Sequence, residues 1–258
     1  MDMPHNHFKQ GLAENRLQLG LFLGLASTLS AEILAACGFD FLLIDAEHSP
    51  NDLPSVLAQL QAMAAYPVSV MVRPASHDPV LIRQLLGVGA QTLLIPMVES
   101  AQQARDLVAA VRYPPRGIRG VGTALERSAR WNHVADYFAQ TEAQTCLLLQ
   151  IESCEGVKNL DEILQVDGVD GLFIGPADLA ASMGYLNQPA HPEVQAVIEQ
   201  ALGKLRGAAK AAGIFSTDPQ LLKKYQASGV RFLAVGADTQ ILRNAAVNLR
   251  QGFSSKAA

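Results

Sequence analysis

Cysteine is scarce in this chain, with 3 in 258 residues. Cys37, Cys146 and Cys154 show no zinc-ligand spacing and no disulfide framework, which argues against a stapled secreted module and a structural zinc site. A reducing cytoplasm is the expected compartment, with Cys146 and Cys154 expected to act as core or packing residues. A surplus of positive charge is also missing. The chain carries 20 Lys+Arg against 24 Asp+Glu, a formal net charge of −4, with no basic run, so nucleic acid is a poor partner. No apolar run approaches the roughly 18 residues of a membrane span, and the polar start MDMPHNHFKQ does not read as a signal peptide. Charged residues make up only 17% of the chain, and 49% is apolar. That balance suits an enzyme with a large core and much buried surface.

What is present is a repeated alternation of short apolar runs and helical patterns. The strand candidates are Gln18–Ala26, Phe39–Ile44, Val68–Val72, Thr92–Ile95, Leu147–Ile151, Gly171–Ile174, Gly213–Ser216 and Val230–Val235. Between them, helices are expected from Ser30 as cap to Ala36, from Asp52 to Ala65, and from Asp78-Pro79 to Gly87 or Gly89. Others run Ser100–Val111, Val134–Glu142, Val157–Leu164, Ala177–Met183, Pro192–Ala212 and Pro219–Ser228. A last helix ends near Arg250, with SSKAA fraying after it. His5–Asn15 is polar with weak helical character. Tyr113–Trp131 breaks the rhythm as a long excursion holding Pro114-Pro115 and Arg116, Arg119, Arg127 and Arg130. Strand–helix alternation implies a parallel sheet, and eight such units in a chain of this length give a single-domain α/β (β/α)₈ TIM barrel. A doubly wound open sheet is the competing fold. It would usually show an early G-x-G-x-x-G after a strand, and none is found.

In a barrel, chemistry collects where strands end in βα loops. Asp45, Glu47 and His48 follow the second strand, Arg73 the third, Gln150 and Glu152 the fifth, and Asp178 comes just past the sixth. Each has an ordinary reading. Glu152 and Asp178 could be helix caps, His48 a structural loop histidine, and Arg73 an ion-pair partner. Two carboxylates on adjacent strands suit a hard divalent cation instead, Mg²⁺ or Mn²⁺ with Co²⁺ also possible. Gln150 points the same way as Glu152 by strand alternation. His48, three residues past Asp45, reads as a general base whose tautomer Asp45 holds. Arg73 suits an oxyanion or carboxylate. Gly175-Pro176-Ala177-Asp178 opens a helix whose N–H groups favour a small carboxylate. His5, His7, His77, His133 and His191 are expected to face solvent.

Such a kit would chelate a 2-oxo acid and stabilise its enolate, the leaving group of a retro-aldol cleavage. The alternative aldolase chemistry needs a Schiff-base lysine. Lys9, Lys158, Lys204, Lys210, Lys223, Lys224 and Lys256 all miss the strand ends.

The stretches LLIDAEHSPND, MVRPASHDP, LLIPMVES, YPPRGIRGVG, ERSARW, LQIES, GVDGLFIGPADL and FLAVGAD together resemble the metal-dependent (class II) pyruvate aldolases of the HpcH/HpaI family. The likeness runs collinearly over nearly the whole chain. It implies a (β/α)₈ barrel whose last helix packs on a neighbouring subunit, assembled as a homohexamer, a trimer of dimers. It implies His48 as base with Asp45 as partner, Arg73 on substrate, and Glu152 and Asp178 on the metal. Gln150 and the Gly175–Ala177 backbone would touch a pyruvate moiety. Within the family the likeness is nearest to enzymes cleaving 4-hydroxy-2-oxoheptanedioate to pyruvate and succinic semialdehyde. Aldolases for 2-keto-3-deoxy-L-rhamnonate or 5-keto-4-deoxy-glucarate share the motifs. An acyl-CoA ester lyase is a further alternative, with the excursion's arginines as its phosphate pocket, and a non-enzymatic 2-oxo acid sensor is another. Two positions depart from the pattern. Gly87 stands where an acid is expected, and Phe215-Ser216-Thr217 replaces small aliphatics, which bears on the aldehyde pocket.

Overall fold

In the computed structural model, which describes residues 1–208 and 210–253, eight parallel strands close into a barrel in sequence order. They are β1 Gln18–Leu23, β2 Phe41–Asp45, β3 Ser69–Arg73, β4 Thr92–Ile95, β5 Cys146–Ile151, β6 Gly171–Ile174, β7 Ala211–Phe215 and β8 Phe232–Ala237. Strand β1 pairs with both β2 and β8, which removes the sheet edges. The competing open sheet is thereby excluded.

Parity along each strand explains where the chemistry lies. In β2, Leu42 and Ile44 join the cluster between sheet and helices, while Phe41 and Leu43 join the one inside the barrel. Asp45 is the next inward position, at the C-terminal rim. The same alternation carries Met71 to Arg73, Leu148 to Gln150 and on to Glu152, and Phe173 to Gly175. The interior is therefore apolar to the last layer and polar at one rim.

The opposite end is plugged by the helix His7–Ala13. Phe8 is fully buried, with its ring centroid 5.4 Å from that of Phe41 and 5.5 Å from that of Phe232. One aromatic among polar residues hid this role in the sequence.

Several expected boundaries move. Ser27, not Ser30, caps the helix Thr28–Ala35, accepting the Ser30 N–H. Val157–Leu164 is two short helices, Cys154–Lys158 and Leu160–Leu164, meeting at Asn159. The helix expected over Pro192–Ala212 stops at Arg206, and its last residues start β7; residue 209 lies outside the described residues. The SSKAA end also lies outside them. The helix after the excursion is Tyr137–Gln144. Cys146 is buried inside the barrel as expected, but Cys154 is exposed at a helix start. His5, His7, His77 and His133 are exposed, whereas His191 is half-buried and stacked on Tyr185. Among the described residues no helix is long and apolar enough to cross a membrane.

Candidate active site

Parallel register sets Asp45 directly beside Arg73. The pair is bidentate: Arg73 Nε and Nη2 donate to Asp45 Oδ1 and Oδ2, each at 2.8 Å. Both side chains are buried, where a charge survives only if paired. Burial works to raise the Asp45 carboxyl, but hydrogen bonds and charge from Arg73, with the Glu47 and His48 backbone N–H groups, hold it below its ordinary value.

Arg73 goes on to hold the next strand. Its Nη1 donates to Gln150 Oε1 at 3.5 Å, and Gln150 Nε2 in turn donates to Glu152 Oε2. The other Glu152 oxygen accepts the Met97 N–H at 2.8 Å. Asp45, Arg73, Gln150 and Glu152 thus form one hydrogen-bonded line across the barrel mouth. Gly175 is required where the line ends, because a Cβ there would lie 2.5 Å from Glu152 Oε2 and 2.8 Å from Glu152 Cβ. Glu152 is 2% exposed. Burial, with the Glu47 and Asp178 carboxylates nearby, raises its pKa to about 7 against the hydrogen bonds from Gln150 and Met97. No cation pairs with it in a salt bridge among the described residues.

Asp178 is exposed in the first turn of the helix Pro176–Ser182, whose N-cap Gly175 brings no side-chain hydrogen bond. His48, Arg73, Gln150, Gly175, Pro176, Ala177 and Asp178 line one cavity of about 360 Å³, with Asp45 and Glu152 set behind Arg73 and Gln150. Every residue expected at the site is therefore at this mouth.

One expected pairing is corrected. The His48 ring has no hydrogen bond to Asp45, whose oxygens are taken by Arg73 and by backbone N–H groups. His48 Nε2 lies instead 3.5 Å from Glu47 Oε2, and that oxygen is 3.0 Å from Arg73 Nη1. Neither contact has hydrogen-bond geometry. Burial raises the Glu47 carboxyl, partly offset by Arg73 and His48. Among the described residues no three His, Cys, Asp or Glu side chains form a metal-holding cluster. The donor set on offer is the two carboxylates Glu152 and Asp178.

Sequence reasoning pointed to Phe215 but missed Phe22 and Phe173, the rest of the cavity's aromatic wall. Phe22, Phe173 and Phe215 stand together, with Phe22 and Phe215 centroids 5.3 Å apart and Arg73 5.0 Å over the Phe22 ring. Strand parity could have found them. Phe215 does shape this pocket. Gly87 lies away from the cavity of its own chain, beneath the barrel, where the Glu126 side chain packs at 3.3 Å from the position of its missing Cβ. Three of the excursion's arginines, Arg119, Arg127 and Arg130, also lie at that far end, at the starts of β3 and β4, and Arg116 pairs with Glu142. They supply no phosphate pocket for an acyl-CoA at this mouth of the same chain.

The sequence model for HpcH/HpaI aldolase/citrate lyase matches residues 18–245. The chain belongs to this family. A hydroxypyruvate/pyruvate aldolase of Pseudomonas aeruginosa is 55% identical over 257 residues, spanning 100% of this chain and 96% of that protein. A 4-hydroxy-2-oxo-heptane-1,7-dioate aldolase of Shigella sonnei is 56% identical over 252 residues, spanning 98% and 96%. The crystal structure of a family protein from Burkholderia cenocepacia J2315 superposes with a TM-score of 0.93 at 38% identity, covering 97% of this chain and all of that one.

Proposed function

We propose that the chain is a divalent-metal-dependent pyruvate aldolase that splits 4-hydroxy-2-oxo acids into pyruvate and an aldehyde. 4-Hydroxy-2-oxoheptanedioate, giving succinic semialdehyde, is the leading substrate. The observation that carries the reading is Glu152. It is a carboxylate buried without a cation, raised to about 7, and fixed by Gln150, Met97 and the bare Gly175. Such a group is costly unless it is protonated or ligates an ion. Glu152 and Asp178 offer hard oxygen donors, which fits Mg²⁺ or Mn²⁺. A bound cation supplies Lewis acidity to the oxygens of the 2-oxo acid.

The chain's own side chains do the rest. The uncapped N-terminus at Gly175–Ala177 and Gln150 orient the pyruvate half. His48, 58% exposed and free to swing, takes the proton from the 4-hydroxyl. The bond between carbons 3 and 4 breaks, its electron pair stays on carbon 3 as the enolate, and the aldehyde leaves. A proton returned to carbon 3 completes pyruvate. Arg73, locked by Asp45, holds positive charge where the oxyanion develops. The Phe22, Phe173 and Phe215 wall receives the departing aldehyde.

The homohexamer expected from the resemblance has one support here. In the helix Asp238–Phe253 only Asp238 is buried, and Leu249 and Phe253 are 66% and 85% exposed. Such a face asks for a partner. Exposed free Cys37 and Cys154 fit a reducing cytoplasm.

The test is pyruvate release from 4-hydroxy-2-oxo acids before and after exhaustive chelation. Loss of activity, with recovery on adding Mn²⁺ or Mg²⁺, is the expected result. Full activity in the chelated enzyme would overturn the reading.

A further inference from the structure

The barrel's N-terminal end holds a second cavity of about 320 Å³ that the proposed aldolase chemistry does not use. It lies between the N-terminal segment, the starts of β3 and β4, and the excursion. Arg119, Arg127 and Arg130 line it together with His5 and His7, and no Asp or Glu does. In a chain with net charge −4, three guanidiniums around one cavity without a lining acid is an unbalanced arrangement.

Each arginine adds a separate observation. Arg119 is 2% exposed, and its Nε is buried with no hydrogen-bond partner. Its Nη2 reaches the Tyr137 hydroxyl at 3.1 Å and pairs with Glu126 Oε2 at 3.5 Å, and its guanidinium lies 4.6 Å over the Tyr113 ring, so Nε is the part left unmet. Arg127 is half-buried and donates to the Val88 carbonyl at 3.1 Å, a neutral acceptor. Burial, and then the charge of Arg130, depress its pKa. Arg130 begins a run of three left-handed residues with Trp131 and Asn132, at φ 48°, 53° and 67°. Among the described residues neither Arg127 nor Arg130 has a salt bridge. The fold thus brings like charges together in a partly dry space and leaves a buried donor idle, which costs stability unless an anion completes the set.

We propose that this cavity is a binding site for a small multivalent oxyanion, gripped by Arg119, Arg127 and Arg130. Planar guanidinium forks suit phosphate and carboxylate oxygens equally, and the volume admits a phosphate ester or a di- or tricarboxylate. The site is at the opposite end of the barrel from His48 and stands whether or not the aldolase reading does.

Calorimetric titration of the full-length protein with inorganic phosphate, and separately with tricarballylate, tests this at ionic strength matched with chloride. Saturable binding is expected for at least one, and the tighter of the two assigns the ligand to phosphates or to carboxylates. Arg130→Gln should weaken it ~10-fold or more. Ser128→Glu places a carboxylate at the cavity wall. It should abolish binding while leaving the melting temperature equal or higher, because the new acid takes the anion's place. Absence of saturable binding to both probes, or binding that neither substitution changes, overturns the proposal.

Discussion

The two ends of this barrel are built from the same strands, and the cavities they hold are lined by charge of different sign. At the C-terminal mouth Asp45, Glu47, Glu152 and Asp178 converge, and the one buried arginine there, Arg73, is already spoken for by Asp45. At the N-terminal end Arg119, Arg127 and Arg130 line a cavity without an acid. At the mouth the acids outnumber the cations, and the arginines lining the cavity at the foot have no acid in the lining with them. Neither deficit would persist in a barrel built for stability alone, since buried uncompensated charge is among the most destabilising features a fold can carry. On the two proposals, each end would be completed by an ion of opposite sign, a cation at the mouth and an anion at the foot.

The largest test of this contrast is at Glu152. Glu152→Gln should cut retro-aldol turnover by ~10³-fold or more, because it removes the proposed metal donor and disturbs the held Gln150. In the metal-free protein the same change should stabilise the fold at alkaline pH. The unfolded carboxyl ionises near 4.5 and the folded one near 7. As pH rises between those values the unfolded state releases its proton first, so stability falls across that window and stays low above it. Removing the carboxylate recovers roughly 3 kcal/mol there. Urea unfolding of both proteins with chelator, as a function of pH, would show it. A wild-type stability flat between pH 4.5 and 7 would contradict the account.

Next comes the base. His48→Ala should lower kcat by ~10²- to 10⁴-fold while pyruvate binds nearly as before. Its exposure predicts a stability change within about 0.5 kcal/mol. Equal losses in kcat and pyruvate affinity would count against its role. Asp45→Asn acts differently, because it strips a buried guanidinium of its charge partner. We expect a loss of about 3 kcal/mol in stability as well as activity, measured by denaturant unfolding. Phe215→Leu should have the smallest effect at the mouth. A stability cost under about 1.5 kcal/mol should accompany an altered ranking of acceptor aldehydes with pyruvate. An unchanged ranking would remove Phe215 from the acceptor wall.

The fold was nearly all legible because the strands are short apolar runs bounded by turn residues. Strands β4 and β6 fall on the expected residues. The helix after Pro192 was overextended because GAAKAAG continues a helix-favouring composition, and only barrel closure turns its end into β7. The site residues were legible from strand ends, yet their partners were not. Asp45 and His48 are spaced like a dyad, but register against β3 gives Asp45 to Arg73 and leaves the imidazole near Glu47. Loop side chains have no period from which such a choice can be read. The arginine-lined cavity at the foot was visible only as an arginine-rich excursion. Its convergence with the N-terminal segment depends on contacts spanning over 100 residues, such as the Met1 amino group on the His133 carbonyl at 2.8 Å.

The most direct measurement is the affinity of the purified protein for Mn²⁺ by calorimetry as a function of pH, without substrate, for the wild type and Glu152→Gln. Binding should tighten as pH rises through about 7, where Glu152 gives up its proton, and should vanish in the variant. Mn²⁺ binding of equal strength in both proteins would contradict the claim that this carboxylate is buried to hold a cation.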